Sequence, residues 1–241
     1  MTLDGTRTWL VGERDVAIID PGPLLVDHVA AVVRAVAGAR VVALLLTHEH
    51  PDHADAAAEL ASRVAAPIHS IARGDLDDGA LIPTDAGEIV ALRTPGHSPD
   101  HAAFHWPAAR AVFCGDLMMG GLATALVAPP GGDLADYLRS LARIRALGPA
   151  LIHPAHGPSF DDPLSAIDAC FAHREQRIAQ VIDALAAGTP TPTTVIAEAV
   201  YGDTIPDALR HAAHGATLAY LRYLEREGRV FERAGEWWRS D

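Results

Sequence analysis

No lysine and no asparagine occurs anywhere in the chain; all 19 basic side chains are arginines, set against 31 carboxylates. That absence, beside abundant alanine, reads as a coding bias rather than as selection at one site. The resulting formal charge of -12 excludes a protein that coats DNA or anionic lipid by bulk charge, because such binding rests on cations that neutralise phosphates. Cysteine is scarce as well. Two of them, Cys114 and Cys170, cannot make a disulfide framework, and reduced thiols are the expectation. Missing too is any apolar run of membrane-spanning length, and the opening MTLDGTRTWLVGERD lacks the basic-then-apolar order of a secretory leader. A soluble, cytoplasmic protein with neither membrane nor DNA as partner is therefore expected. What is present is ordinary: 49% apolar and 21% charged residues suffice for a real core and exclude disordered, collagenous and low-complexity classes.

Three short apolar runs end in polar turns. Ala17-Ile18-Ile19 leads into Asp20-Pro21-Gly22, residues 41–46 into Thr47-His48-Glu49-His50, and Ala111-Val112-Phe113-Cys114 into Gly115-Asp116. Runs of this kind, bounded by glycine or proline, predict buried strands. Between them, helical spacing covers 24–36, 54–64 and 133–147, the last with Leu134, Leu138, Leu141 and Ile144 on one face. Strands alternating with helices predict a mixed arrangement of both. From 163 onward the pattern changes. A long helix over 163–187, a short one over 195–200 and another over 206–227 precede an alternating hairpin at 229–239, turning on Ala234-Gly235. That order is the order of a winged helix-turn-helix.

The chemistry concentrates in Thr47-His48-Glu49-His50-Pro51-Asp52-His53. His48 and His50 follow a strand two residues apart, where alternate side chains share a side. Three imidazoles and a carboxylate so close together are hard to explain as packing, since each would need its own buried partner. Such donors suit zinc, and also iron, manganese or cobalt. Further turns follow in order: Thr94-Pro95-Gly96-His97-Ser98-Pro99-Asp100-His101, then Cys114-Gly115-Asp116, then His153-Pro154-Ala155-His156-Gly157.

With these motifs in this order the sequence resembles the metallo-β-lactamase superfamily over roughly residues 7 to 160. The resemblance implies an α+β class, an αββα sandwich in residues 1–160, followed by a linking helix and winged-helix domain in 161–241. It also implies two divalent metal ions, zinc first and iron or manganese as alternatives. His48, His50 and His97 would hold one ion and Asp52, His53 and His156 the other, with Asp116 between them. A metal-bridging hydroxide would then be the nucleophile, and Asp52 would accept its hydrogen bond and pass a proton to the leaving group. Asp20 would support the site from behind, or merely cap a turn. His101 lies outside the full ligand set and is expected to be structural or supporting. Residues 120–124 and 128–134, together with His173-Arg174-Glu175 and the winged-helix tail, resemble more narrowly the β-lactamase-like protein 2 group. That group includes an endonuclease of single-stranded RNA. The sequence departs from its pattern at Arg7 and at Ala155.

Other residues carry plainer expectations. Cys114 reads as core, Met118-Met119 as pocket wall or core, and Trp237-Trp238 as anchors of the hairpin. His173-Arg174 either reaches the site or pins the two segments together. The loops 73–83 and 118–130 are expected to line the pocket. Residues 161–241 hold eight arginines against thirteen acids, so this winged helix is expected to be a lid, a packing element or a homodimer contact. The leading expectation is a hydrolase of a small ester, thioester or lactam-like bond. The alternatives are a metal-dependent endoribonuclease on single-stranded RNA, an iron-dependent redox enzyme, and a non-enzymatic binding protein.

Overall fold

The computed structural model describes residues 5–121, 125–185, 188–202 and 205–240. Leu122, Ala123 and Thr124 of the glycine-rich motif lie outside the described residues, as do Ala186 and Ala187 of the expected long helix. One sheet contains, in order, β1 (Trp9–Val11), β2 (Asp15–Ile19), β3 (Arg40–Leu45) and β4 (Ile68–His69). β2 and β3 are parallel, so the chain must cross over between them, and α1 (Val26–Ala35) makes that crossing. The second sheet contains β5 (Leu81–Thr84), β6 (Gly87–Arg93), β7 (Ala102–Trp106), β8 (Ala111–Gly115) and β9 (Leu151–Pro154). Here the parallel pair is β8 and β9, joined through α4 (Leu134–Ala146), whose first turn is capped by the Asp133 carboxylate.

Strand periodicity explains the layers. Ala17, Ile19 and Leu45 meet Ile89, Phe104 and Phe113 between the two sheets. Their neighbours Val16, Ile18 and Leu44 point the other way, against Val29 and Val32 of α1 and Leu60 of α3 (Ala57–Val64). On the far side Val112, Cys114 and Ile152 lie under Tyr137, Leu141 and Ile144 of α4. The chain forms the expected αββα sandwich.

The same outer core continues into the second segment. α5 (Pro163–Asp183) starts on a proline behind an Asp162 cap. α6 (Thr193–Tyr201) and α7 (Arg210–Arg226) follow. A small sheet then places β12 (Glu236–Arg239) between β10 (Thr191–Pro192) and β11 (Val230–Arg233). Trp237, 1% exposed, shares one apolar cluster with Tyr220, Val181, Tyr137 and Val112. The winged helix is thereby packed onto the second sheet through α4 and α5.

Local departures from the sequence expectations have identifiable causes. The helix expected over 54–64 is interrupted, giving α2 (Pro51–Ala54) and then α3. The Gly22 N–H donates to the His53 carbonyl and the Ala56 N–H to the Gly22 carbonyl, so tertiary bonds replace intrahelical ones. The long helix stops at Asp183, and residues Asp207–Leu209 form a tight turn before α7. Cys114 and Met118 are core residues, at 0% and 1% exposure.

Candidate metal centre

The C-terminal ends of β2, β3, β8 and β9 meet at one edge of the sandwich. Asp20 follows β2, Thr47-His48 follow β3, Asp116 follows β8 and His156 follows β9. His50, Asp52 and His53 come from the turn into α2, and His97 from the connection between β6 and β7. Gly96 makes that connection feasible. Its φ is +137°, and a Cβ there would lie 2.3 Å from the Tyr137 Cα, so only glycine lets the turn lie directly on α4.

Backbone and side-chain acceptors fix the orientation of four imidazoles. The His53 Nδ1–H donates to Asp20 Oδ2 at 3.0 Å, that of His97 to the Leu126 carbonyl at 2.8 Å, and that of His156 to the Gly5 carbonyl at 3.1 Å. His48 Nδ1 meets Thr47 Oγ1 at 3.0 Å. With Nδ1 donating, each ring turns an Nε2 lone pair toward the others. His53 Nε2 then lies 3.6 Å from Asp52 Oδ2 and 3.5 Å from Asp116 Oδ1. His156 Nε2 is 3.3 Å from both of the same oxygens. Nearby, His48 Nε2 and His97 Nε2 approach His50 Nδ1 at 2.8 and 3.1 Å, and His97 Nε2 stands 3.6 Å from Asp116 Oδ2.

These atoms fit a cation rather than one another. His53 Nε2 and Asp116 Oδ1 are buried without a hydrogen-bond partner, a costly arrangement unless something positive lies between them. Tetrahedral bonds of ~2.0–2.1 Å imply ligand-to-ligand edges of about 3.3–3.4 Å, close to the separations around His156. Three triads of donor atoms fall within 4.8 Å: His48, His50 and His97; His48, His53 and Asp116; Asp52, His53 and His156. All seven sequence-predicted ligand residues are thus brought together.

Electrostatics follow from burial and charge. Burial opposes a positive charge at His53, but Asp20 and Asp116 on either side of the ring outweigh it and favour one there. Burial likewise works against an ionised Asp116, yet His53, His97 and His156 hold it well below the usual carboxylate range. Desolvation and the neighbouring imidazoles keep His48 neutral. His101, fully buried, is pushed down to about 3, chiefly by desolvation. Its Nε2 accepts the Asp116 backbone N–H at 3.1 Å while Nδ1 meets Thr94 Oγ1 at 2.9 Å. It therefore touches Asp116 through the main chain and stays out of the donor cluster.

Sequence reasoning gave Thr47 no role, although its hydroxyl and N–H both reach the Asp20 carboxylate, each at 2.8 Å. A threonine directly ahead of the first histidine was the available signal. The carbonyls of Gly5 and Leu126 left none. The two departures, Arg7 and Ala155, are neighbours: the Arg7 N–H donates to the Ala155 carbonyl at 2.8 Å, and its Nε to that of Gly157 at 2.6 Å. Beside the cluster opens a cleft of about 520 Å³, walled by His50, His97, Pro99, Leu126, Pro129 and His211. Of the loop expected over 118–130, Leu126, Ala128, Pro129 and Pro130 line it, and Gly131 and Gly132 extend the wall. Residues 73–83 do not line this cleft, and their last three residues join the sheet as the start of β5.

Sequence comparison decides the family. The sequence model of the metallo-beta-lactamase superfamily matches residues 1–77 and 70–156. The chain belongs to that superfamily. It is a metallo-hydrolase by family, and the model of the beta-lactamase associated winged helix domain matches residues 193–237. A Caenorhabditis elegans relative described as beta-lactamase-like protein 2 homolog is 29% identical over 95% of this chain and 81% of its own length. An atrochrysone carboxyl ACP thioesterase from Aspergillus chevalieri is 34% identical over 76% of this chain, which spans 61% of that protein. A beta-lactamase domain protein from Burkholderia ambifaria superposes with a TM-score of 0.84 at 21% identity, covering 97% of this chain and 86% of the other. That likeness concerns the fold. The superfamily implies divalent metal ions, and among the described residues no helix is long and apolar enough to cross a membrane.

Proposed function

We propose that the chain is a binuclear metal-dependent hydrolase of a small ester, thioester or lactam-like substrate. The observation that carries this reading is the set of Nδ1–H bonds to Asp20, Leu126, Gly5 and Thr47, which leave Nε2 lone pairs converging on two carboxylates. His48, His50 and His97 would hold one ion and Asp52, His53 and His156 the other, with Asp116 shared and zinc as the first candidate. When bound, such ions supply Lewis acidity and lower the pKa of coordinated water toward ~7.

The chain's own groups do the rest. Asp52 is the more open of the two acids, with 30% of its side chain exposed against 12% for Asp116. Its carboxylate accepts a proton from the attacking water and returns it to the leaving group. Asp20 and Thr47 hold His53 and His48 in the required tautomers, and His101 holds the main chain of Asp116. The cleft beside His97 excludes bulk water from one side and seats the group attached to the scissile carbonyl.

Residues 161–241 act as a second domain that closes this cleft. Its arginines on α7 are spent on acids: Arg210 on Glu198, Arg222 on Glu232 and Arg226 on Asp133. That pairing supports a packing role over nucleic-acid contact. The named thioesterase relative favours an acyl substrate. The test compares metal-loaded protein on ester and thioester panels with a fluorescent single-stranded RNA, alongside Asp52→Ala and His97→Ala. Acyl turnover lost in both variants supports the proposal. Robust RNA cleavage lost in them, without acyl turnover, overturns it.

A further inference from the structure

A second cavity of about 200 Å³ adjoins the cleft and shares Leu126 and Ala212 with it. Its floor is α5, which presents His173, Arg174 and Arg177; its other walls are mostly apolar, from segment 125–127, Ile205 and α7. Arg143, Arg145, Arg222 and Arg226 each sit against a carboxylate. Arg174 and Arg177 do not, among the described residues. Arg174, 4% exposed, donates to the Tyr220 hydroxyl at 2.9 Å and to the Ala125 carbonyl at 2.6 Å, and lies over the Tyr137 ring. Arg177 donates to Gln180 Oε1 at 2.9 Å and to the Val200 carbonyl at 3.1 Å, and stacks on Tyr201.

Neutral acceptors satisfy donors but leave both charges standing. Each guanidinium carries five N–H groups, more than these contacts use. His173 adds no third charge, since burial and the two arginines push it down to about 4. Its Nδ1 is buried without a partner. Among the described residues, two cations without a carboxylate partner and an orphan imidazole atom share one wall and face apolar surface, a donor set that suits a single oxyanion.

The strip between the cavities ties this receptor to the metal centre. Arg174 holds the carbonyl of Ala125, and the next carbonyl, that of Leu126, accepts the His97 Nδ1–H. We infer that the cavity is an anion subsite, which takes a carboxylate or phosphate carried by the substrate at a distance from its scissile acyl bond. The inference rests on the hydrolase reading and names its substrate class: small acyl esters or thioesters bearing a remote negative charge. A space of about 200 Å³ suits one such group and not the backbone of a polynucleotide.

Two measurements on the metal-loaded full chain test this. In the first, inorganic phosphate and acetate are titrated against thermal stability in wild type, Arg177→Gln, Arg177→Lys and His97→Ala. The subsite predicts a shift that survives His97→Ala, shrinks in Arg177→Gln and is partly restored in Arg177→Lys; the stronger anion identifies the preferred oxyanion. A shift unaltered in Arg177→Gln and lost in His97→Ala places the anion at the metals alone and overturns the inference. In the second, paired esters differing only in a remote carboxylate or its neutral amide are compared. Arg177→Gln is expected to erase a preference of about tenfold or more for the charged member, mainly through KM. Equal kcat/KM for both members in wild type, or an Arg177 dependence confined to single-stranded RNA, contradicts the assignment. An Arg177-dependent anion shift without acyl turnover retains the subsite and removes the hydrolase reading instead.

Discussion

Replacing Asp20 by asparagine separates metal binding from folding. The Asp20 carboxylate is 1% exposed and accepts from the Thr47 N–H, the Thr47 hydroxyl and His53 Nδ1. Its φ of +50° is one that asparagine adopts readily and alanine does not. In Asp20→Asn the amide oxygen keeps the Thr47 bonds, but the amide nitrogen confronts the His53 Nδ1–H, donor against donor. The ring escapes by moving its proton to Nε2, which removes the lone pair aimed at the cation. Losing an orienting partner of this kind costs about 10–100-fold in metal affinity, whereas exchanging one charged bond for a neutral one costs about 1–2 kcal/mol of stability. Asp20→Ala differs in kind. It leaves three buried donors unpaired, each costing about 1–3 kcal/mol, and adds backbone strain. The assay is zinc retention against a competing chelator, with chemical denaturation of the metal-stripped proteins alongside. Asparagine should release metal while folding nearly as wild type; alanine should lose both. Unchanged metal affinity in Asp20→Asn would refute the role given to this carboxylate.

Further outcomes follow from the same contacts. His101→Phe strands the Asp116 N–H and removes the donor to Thr94 Oγ1, whose hydroxyl keeps the Leu92 carbonyl, so denaturation should show a loss of about 1–3 kcal/mol. Gly96→Ala drives a methyl group to 2.3 Å from the Tyr137 Cα and should cost more than about 3 kcal/mol by the same measurement. Asp85 accepts N–H bonds from Glu13 and Arg14, which lower its pKa to about 2. Its folded pKa lies below the unfolded one, so its stabilisation is complete above about pH 4 and vanishes as pH falls through about 2. Asp85→Asn should therefore flatten the melting temperature over that acid window and leave its slope near neutrality unaltered.

Much of the donor cluster was legible because three of its residues sit just past the stop of an apolar run, a position that strand ends impose. His48, Asp116 and His156 carry that signature. The roles of Asp20 and His101 were not readable to the same depth, since the partners that define them, Thr47 and the Asp116 main chain, are adjacent only after folding. Strands β6 and β7 went unread for a related reason. They are buried on both sides, with Ile89 and Ala91 between the sheets and Leu92 in the outer core, so no clean alternation marks them. Strand β10 is only two residues long, Thr191–Pro192, and exists because β12 lies alongside. The break between α2 and α3 depends on Gly22, distant in sequence.

The proposed two-metal centre performs acyl hydrolysis. Metal-free chain titrated with Zn²⁺, with bound metal and thioester turnover measured on the same samples, tests it most directly. Two equivalents bound per chain, with turnover that rises until both are present and is absent from Asp52→Ala, is the expected result. Saturation at one equivalent, or turnover indifferent to metal or to Asp52, would contradict it.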